Sequence, residues 1–197
     1  MNEQYNPAPD TSGELLDVLD EQGRATGQAL DKKTIHRQGL PHRDVHVWLT
    51  NGTHVLEQQR HPDKSIMPGV WDISVGGHVT AGESMLSAAV RETEEELGLQ
   101  LPPERFLPAG IVATEMFFGA DGWRHRIFGD NFVVIERGLA LEDLTLQASE
   151  VTGARWYDID QLEADLRSPE TAVRHAPQPP ELWALGIAAM RQAAETQ

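Results

Sequence analysis

Cysteine is absent from the 197 residues. That excludes disulfides, thiolate zinc sites and cysteine nucleophiles, and it leaves the redox compartment open. Cations are scarce: 16 Lys and Arg stand against 31 Asp and Glu, a formal net charge of −15. Such a surface repels nucleic acid and anionic membrane, so neither is an expected partner. An anionic small molecule can bind only where a carboxylate-held metal or a cluster of Arg and Lys gathers positive charge. No apolar run is long enough to span a bilayer. Met1 to Gly13 is polar and lacks the apolar stretch of a secretory signal, so the expected location is cytoplasmic. The apolar share, 40%, suits a globular fold. The length suits one domain, set at residues 13–197 behind a flexible tail at 1–12.

Hydrophobic periodicity and turn residues divide the chain. Leu15 to Leu19 reads as a short strand, followed by a turn at Gln22–Gly23. Asp31 can cap a short helix through His36 that stops at Gly39. Arg43 to Thr50 alternates, with Val45, Val47 and Leu49 on one face, and Asn51–Gly52 then signals a hairpin with His54 to Gln59 returning. His61 to Gly69 is a loop, and Trp71 to Val75 a strand ending at Gly76–Gly77. Ser84 to Leu97 is the clearest helix, stopped by Gly98. Leu107 to Phe118 and Arg124 to Ile135 flank a turn at 119–122. Ala154 to Ile159 is a last strand, with helices over Asp160 to Arg167 and Pro180 to Ala194. Hairpins mixed with helices predict a mixed sheet with helices packed on it.

The chemistry concentrates in GHVTAGESMLSAAVRETEEELGL, Gly77 to Leu99. At about 100° per residue, Leu86, Val90, Thr93 and Leu97 form one apolar stripe. Glu92, Glu95 and Glu96 share another face, spaced i, i+3, i+4, while Glu94 points elsewhere. Carboxylates so placed repel by a few tenths of a kcal/mol per pair in water. A divalent cation reverses that sign, because Mg²⁺ takes hard oxygen ligands and accepts phosphate oxygens in its remaining positions. Arg91 can orient a carboxylate or contact a phosphate. A bare E-x-x-E-E is usually a solvated helix face, so the rest of the pattern decides.

The stretch resembles the Nudix box, G-x5-E-x7-R-E-U-x-E-E-x-G-U, with U a large aliphatic residue. Gly77, Glu83, Arg91, Glu92, Glu95, Glu96 and Gly98 fill its seven fixed positions, and Leu99 fills the last U. Seven chance matches would be on the order of 10⁻⁹ to 10⁻⁸ per starting point. Thr93 departs at the first U, a change expected to cost packing and not chemistry. The resemblance implies an α/β/α sandwich with a mixed β-sheet and a loop–helix–loop site. It implies a Mg²⁺-dependent hydrolase (Mn²⁺ can substitute) that splits the diphosphate of a small organic substrate, a nucleoside diphosphate derivative. By the family's pattern Glu92 and Glu96 are the main metal ligands and Glu95 a further ligand or the base. The carbonyl of Gly76 completes the coordination, and Gly77, Glu83 and Gly98 are structural. Glu115 and Glu150 are base candidates outside the box. A homodimer is an admissible assembly.

From Leu15 to Leu162 the chain also resembles the branch containing isopentenyl-diphosphate isomerase, through LLDVLDE, HRDVHVWLTN and PGVWDISVGGH. The isomerase needs a cysteine where Gly76 stands, and a later E-x-E pair where Arg124-His125-Arg126 aligns. Isomerisation therefore has no evident agents here. His42 and His78 match isomerase metal-ligand histidines and His36 lies near a third, without the partner glutamates. Arg60 and Lys64 match its diphosphate-holding positions. Trp123, Arg124 and Arg126 form either a solvated hairpin tip or a stacking and charge surface for substrate. A Nudix-fold module that senses a diphosphate without turnover is the alternative from another class.

Overall fold

In a computed structural model, residues 13–64, 67–118 and 123–196 are described, apart from the side chains of Phe118 and Trp123. The tail at 1–12, the turn at 119–122 and the Trp123 side chain lie outside them.

The chain is built around β3 (His42–Thr50). It pairs in parallel with β8 (Trp123–Ile135), from His42↔Ile127 to Thr50↔Ile135. It also pairs antiparallel with β6 (Val75–His78). Apart from Arg43, every β3 residue is buried. The alternation marked one apolar face, yet the strand is covered on both. Val45, Val47 and Leu49 pack with Ala88, Ala89 and Leu97 of α2 (Met85–Leu97). On the other side Trp48 packs with Leu162 of α3 (Ile159–Arg167) and with Leu182, Trp183 and Met190 of α5 (Pro180–Thr196). The mixed sheet thus lies between helical layers, the α/β/α arrangement. The approach on the α5 side is close: a Cβ on Gly186 would meet the Trp48 indole at 2.4 Å.

The hairpin expected at Asn51–Gly52 is only partly formed. The turn closes, with Asn51 N–H donating to the His54 carbonyl at 3.1 Å. β4 (His54–Arg60) then leaves β3 after Thr50↔Val55 and pairs with β5 (Trp71–Asp72) and β9 (Val151–Asp158). The Ser74 hydroxyl fills the gap, accepting from Leu49 N–H at 2.8 Å and donating to the Leu56 carbonyl at 2.6 Å. The strand expected over Trp71 to Val75 is accordingly split, β5 serving β4 and β6 serving β3.

The antiparallel pair β7 (Leu107–Phe118) and β8 extends the sheet. β1 (Leu15–Leu19) forms a second small sheet with β2 (Ala25–Asp31). β2 and α4 (Pro169–Ala172) escaped the sequence reading. β2 is almost wholly exposed and has no apolar alternation to read. α1 (Lys32–Gln38) has the expected caps: the Asp31 side chain accepts from Thr34 N–H, and Gly39 is left-handed at φ 64°.

Candidate active site

α2 is fixed at both ends by its own sequence. The Ser84 hydroxyl accepts from Ser87 N–H, and Gly98 takes φ 71° with its N–H on the Glu94 carbonyl. The stripe reading holds for Thr93 and Leu97, which are buried, while Leu86 and Val90 are half-buried and Ala88 and Ala89 are buried beside them. Thr93 sits where the box has an aliphatic residue. Its hydroxyl donates to the Ala89 carbonyl at 2.6 Å, so the polar atom is satisfied inside the helix.

The glutamates on the second face are unequal. Glu96 is buried, the Glu92 side chain is 12% exposed, and that of Glu95 is 50% exposed. Burial pushes Glu96 up to about 8, with the Glu92 charge adding to it, although Gln58 and the Gly76 N–H favour the ionised form. Glu92 is pushed up to about 7, again by burial first, against the pull of Arg91. Two carboxylates held side by side out of water form a site that a cation would relieve.

The loop at the start of the box is shaped for this carboxylate. A Cβ on Gly77 would lie 2.1 Å from Glu92 Cδ and 2.3 Å from its Oε1. Only glycine leaves room for Glu92 in that position. Arg91 ties loop and helix together. It donates to Glu83 from Nε at 3.1 Å and from Nη2 at 2.9 Å, to Glu92 at 2.8 Å, and to the His78 carbonyl at 3.1 Å. Glu95 is its weakest carboxylate contact, at 3.4 Å. Glu83 in turn accepts from Thr80 N–H at 3.2 Å. The fork geometry explains arginine here, because lysine has no two-pronged donor.

Residues distant in sequence complete the cluster. Gln58 on β4 donates to Glu96 Oε2 at 2.8 Å, and both side chains are buried. Glu150 lies close enough to Glu96 to help raise its pKa. Lys64 pairs with Glu150, which brings one expected phosphate-binding cation to the rim of the glutamates. Arg60 turns to the buried Asp72, at 3.5 Å. Glu115 is 3.6 Å from Arg126 across the β7–β8 pair, and Arg126 also reaches Glu21 at 2.7 Å. The sequence reading missed Gln58. Its signal was only that β4 ends beside the box once the strands are paired, which no local pattern encodes.

Comparison with known proteins identifies the family. The family model described as the NUDIX domain matches residues 40–178. Nudix hydrolase 3 of Arabidopsis thaliana is 37% identical over 151 residues, covering 75% of this chain. An uncharacterised Nudix hydrolase of Clostridium acetobutylicum is 33% identical over 153 residues, 76% of this chain. The chain spans 20% of the Arabidopsis relative's length and 72% of the clostridial one's. The crystal structure of DR0079 from Deinococcus radiodurans superposes with a TM-score of 0.66 at 22% identity, covering 89% of this chain and 99% of that one. The chain belongs to the Nudix family of hydrolases.

Proposed function

We propose that this chain hydrolyses the diphosphate linkage of a small organic substrate, a nucleoside diphosphate derivative, with Mg²⁺ held by Glu92 and Glu96. The observation that carries the reading is the fit of Gly77 against Glu92. A surface glutamate needs no glycine beneath it. Here a glycine, the Arg91 fork and Gln58 all serve to hold two neighbouring carboxylates at fixed places with little water. Glu92 and Glu96 would hold Mg²⁺, which when bound would supply charge neutralisation for the diphosphate and a more acidic attacking water.

The chain's own groups take the remaining roles. Glu92 and Glu96 supply ligand oxygens, and Gly76 on β6, whose N–H donates to Glu96, adds its carbonyl as the further ligand that the box resemblance implies. Glu95 is exposed on the same face and is free to reach an attacking water, as base or as further ligand. Glu150 is the second base candidate, next to Glu96 and shielded by Lys64. Lys64 and Arg60 stand on the segment leading to the box and supply substrate contacts. Glu115 is the weaker base candidate, since it faces Arg126. Gly76 has no thiol to offer an allylic carbon, which keeps isomerisation out of the proposal.

The test is phosphate release from a panel of nucleoside diphosphates, nucleotide sugars, dinucleotides and isoprenoid diphosphates, with and without Mg²⁺. Metal-dependent release from at least one nucleoside diphosphate derivative is expected. Full turnover after exhaustive chelation, or tight binding of the panel with no release by the metal-loaded protein, would overturn the reading.

A further inference from the structure

Away from the glutamates, α1, β3, β6 and β8 each direct one histidine to a common point. His36, His42, His78 and His125 each offer a ring nitrogen, and these atoms all lie within 4.8 Å of one another. His36 and His42 are buried. The rings crowd with centroids 4.9–5.9 Å apart. The sequence alignment pointed to His36, His42 and His78; His125 enters only through the parallel β3–β8 pairing.

Proton bookkeeping shows what the cluster is arranged to hold. His36 Nδ1 lies 2.8 Å from the Lys32 carbonyl, and His42 Nδ1 lies 3.1 Å from the Leu40 carbonyl. A carbonyl only accepts, so both Nδ1 atoms carry the hydrogen, and in the neutral rings both Nε2 atoms present lone pairs. His125 Nε2 lies 3.2 Å from Asp44 Oδ2, a carboxylate that also only accepts. That fixes the His125 hydrogen on Nε2 and turns the Nδ1 lone pair inward, 3.0 Å from His36 Nε2. His42 Nε2, His78 Nε2 and Asp44 Oδ1 are buried with no hydrogen-bond partner, and Asp44 Oδ1 is 3.7 Å from the first and 4.0 Å from the second. A cation at the centre would satisfy the inward histidine nitrogens, with the Asp44 carboxylate beside them as compensating charge. Each inward nitrogen then has its other nitrogen on a carbonyl or carboxylate wherever the contact is resolved, the outer-shell pattern of metal-bound imidazole.

We propose that these four histidines form a second metal centre, separate from the glutamate site, that takes one transition-metal ion of the Zn²⁺ class. An all-nitrogen set suits Zn²⁺, Co²⁺ or Ni²⁺ and disfavours Mg²⁺, which demands oxygen. Tetrahedral Zn–N bonds of about 2.0–2.1 Å place ligand atoms about 3.3 Å apart, so small ring rotations close the present arrangement around an ion. Four protein ligands fill a tetrahedron and leave no position for water or substrate, so the centre is structural. It pins α1 and β8 to β3 and to β6, the strand that leads into Gly77 and the box.

The test uses the 197-residue chain stripped by chelation and then given CoCl₂ alone, without Mg²⁺. One equivalent should bind with the intense visible bands of tetrahedral nitrogen-ligated Co²⁺, and one equivalent of Zn²⁺ should bleach them. The melting temperature should rise with either ion. The spectrum should survive in the Glu92→Gln/Glu96→Gln double variant and be lost in His42→Asn/His125→Asn. Should that pair fail to fold, the partly exposed His125→Gln replaces it and should weaken Co²⁺ binding at least tenfold. Only faint octahedral bands in the wild type, or bands that vanish with the glutamates and persist without the histidines, would overturn the proposal. Either result leaves the phosphate-release assay unaffected, so the two readings fail separately.

Discussion

Replacing Gly77 by alanine separates the site from the fold. The added Cβ would start 2.1 Å from Glu92 Cδ, against an ordinary contact near 3.5–4.0 Å. Something must move by more than about 1 Å. The Glu92 carboxylate is the far end of a flexible side chain and it moves most cheaply. The overpacking cost therefore falls near the low end of about 1–3 kcal/mol. Alanine in a strand recovers about 0.5–1 kcal/mol of chain entropy relative to glycine. The two nearly cancel, and the metal-free protein should melt within a few degrees of wild type. Function should not escape. A displacement of about 1 Å at a reacting centre costs on the order of 100-fold in rate, and a displaced Glu92 also loses its 2.8 Å contact with Arg91. The Mg²⁺-induced gain in stability, about 2.7 kcal/mol at a hundredfold excess over Kd for an intact site, should shrink to a small fraction. The measurement is a pair of melts with and without Mg²⁺, beside kcat on whichever panel substrate turns over. Wild-type turnover and a wild-type metal shift in Gly77→Ala would refute the argument that glycine is there to admit Glu92.

Three further outcomes are expected. Glu96 rises from 4.5 to about 8 on folding, so its ionisation opposes the fold. Metal-free wild type should lose stability as pH climbs from about 4.5 to 8, by up to a few kcal/mol. Glu96→Gln should flatten that slope, be the more stable protein at pH 8 without metal, and lose most of the Mg²⁺ shift; parallel pH slopes would count against it. Gln58→Leu removes a hydrogen bond to a buried charge, an interaction of about 1.5–3 kcal/mol, so the Mg²⁺ concentration for half-maximal activity should rise roughly tenfold or more, and an unchanged metal titration would return Gln58 to simple packing. Gly186→Ala drives a Cβ to 2.4 Å from the Trp48 ring, which is fully buried and anchored by Asn131 at 3.0 Å. The ring cannot swing away as Glu92 can, so a loss of about 1–3 kcal/mol should outweigh the helix-propensity gain of about 1 kcal/mol, with the Mg²⁺ dependence of activity unchanged.

These contrasts show where the sequence was legible. Caps and helix faces depend on neighbours a few residues away, so Asp31, Gly39 and Gly98 declared their roles in the chain itself, while Ser84, read as the first helical residue, is the N-cap. The grouping of Glu92 with Glu96 is legible for the same reason, since i, i+4 is geometry within one helix. Burial depth is not local. Three glutamates of one face end at 7% for Glu96 as a residue, and at 12% and 50% for the Glu92 and Glu95 side chains, because β4 and β6 cover one edge of that face and leave the other open. The hairpin failed for a related reason. Asn51–Gly52 specifies a turn, but whether its arms stay paired depends on competitors elsewhere, and β9 and Ser74 win that competition.

The histidines carry the same logic further. Each one, read alone, is a helix or strand histidine with an unremarkable neighbourhood. His36 is capped into place by Asp31, His42 and His78 by the β3–β6 register, and His125 by the register of β8 with β7. They lie on four separate elements, so periodicity along the chain cannot assemble them, and the motif resemblance reached only His36, His42 and His78. Once the parallel β3–β8 pairing sets His42 opposite Ile127, His125 is two residues from that pair, on the same face by the strand's period of two. The sheet topology, fixed by apolar burial on both sides of β3, is therefore what sets the donor atoms together. Conversely, an ion held there would fasten β3 to β6 and β8 at the end nearest Gly77, where Glu92 packs so closely that an added Cβ would lie 2.1 Å from its Cδ.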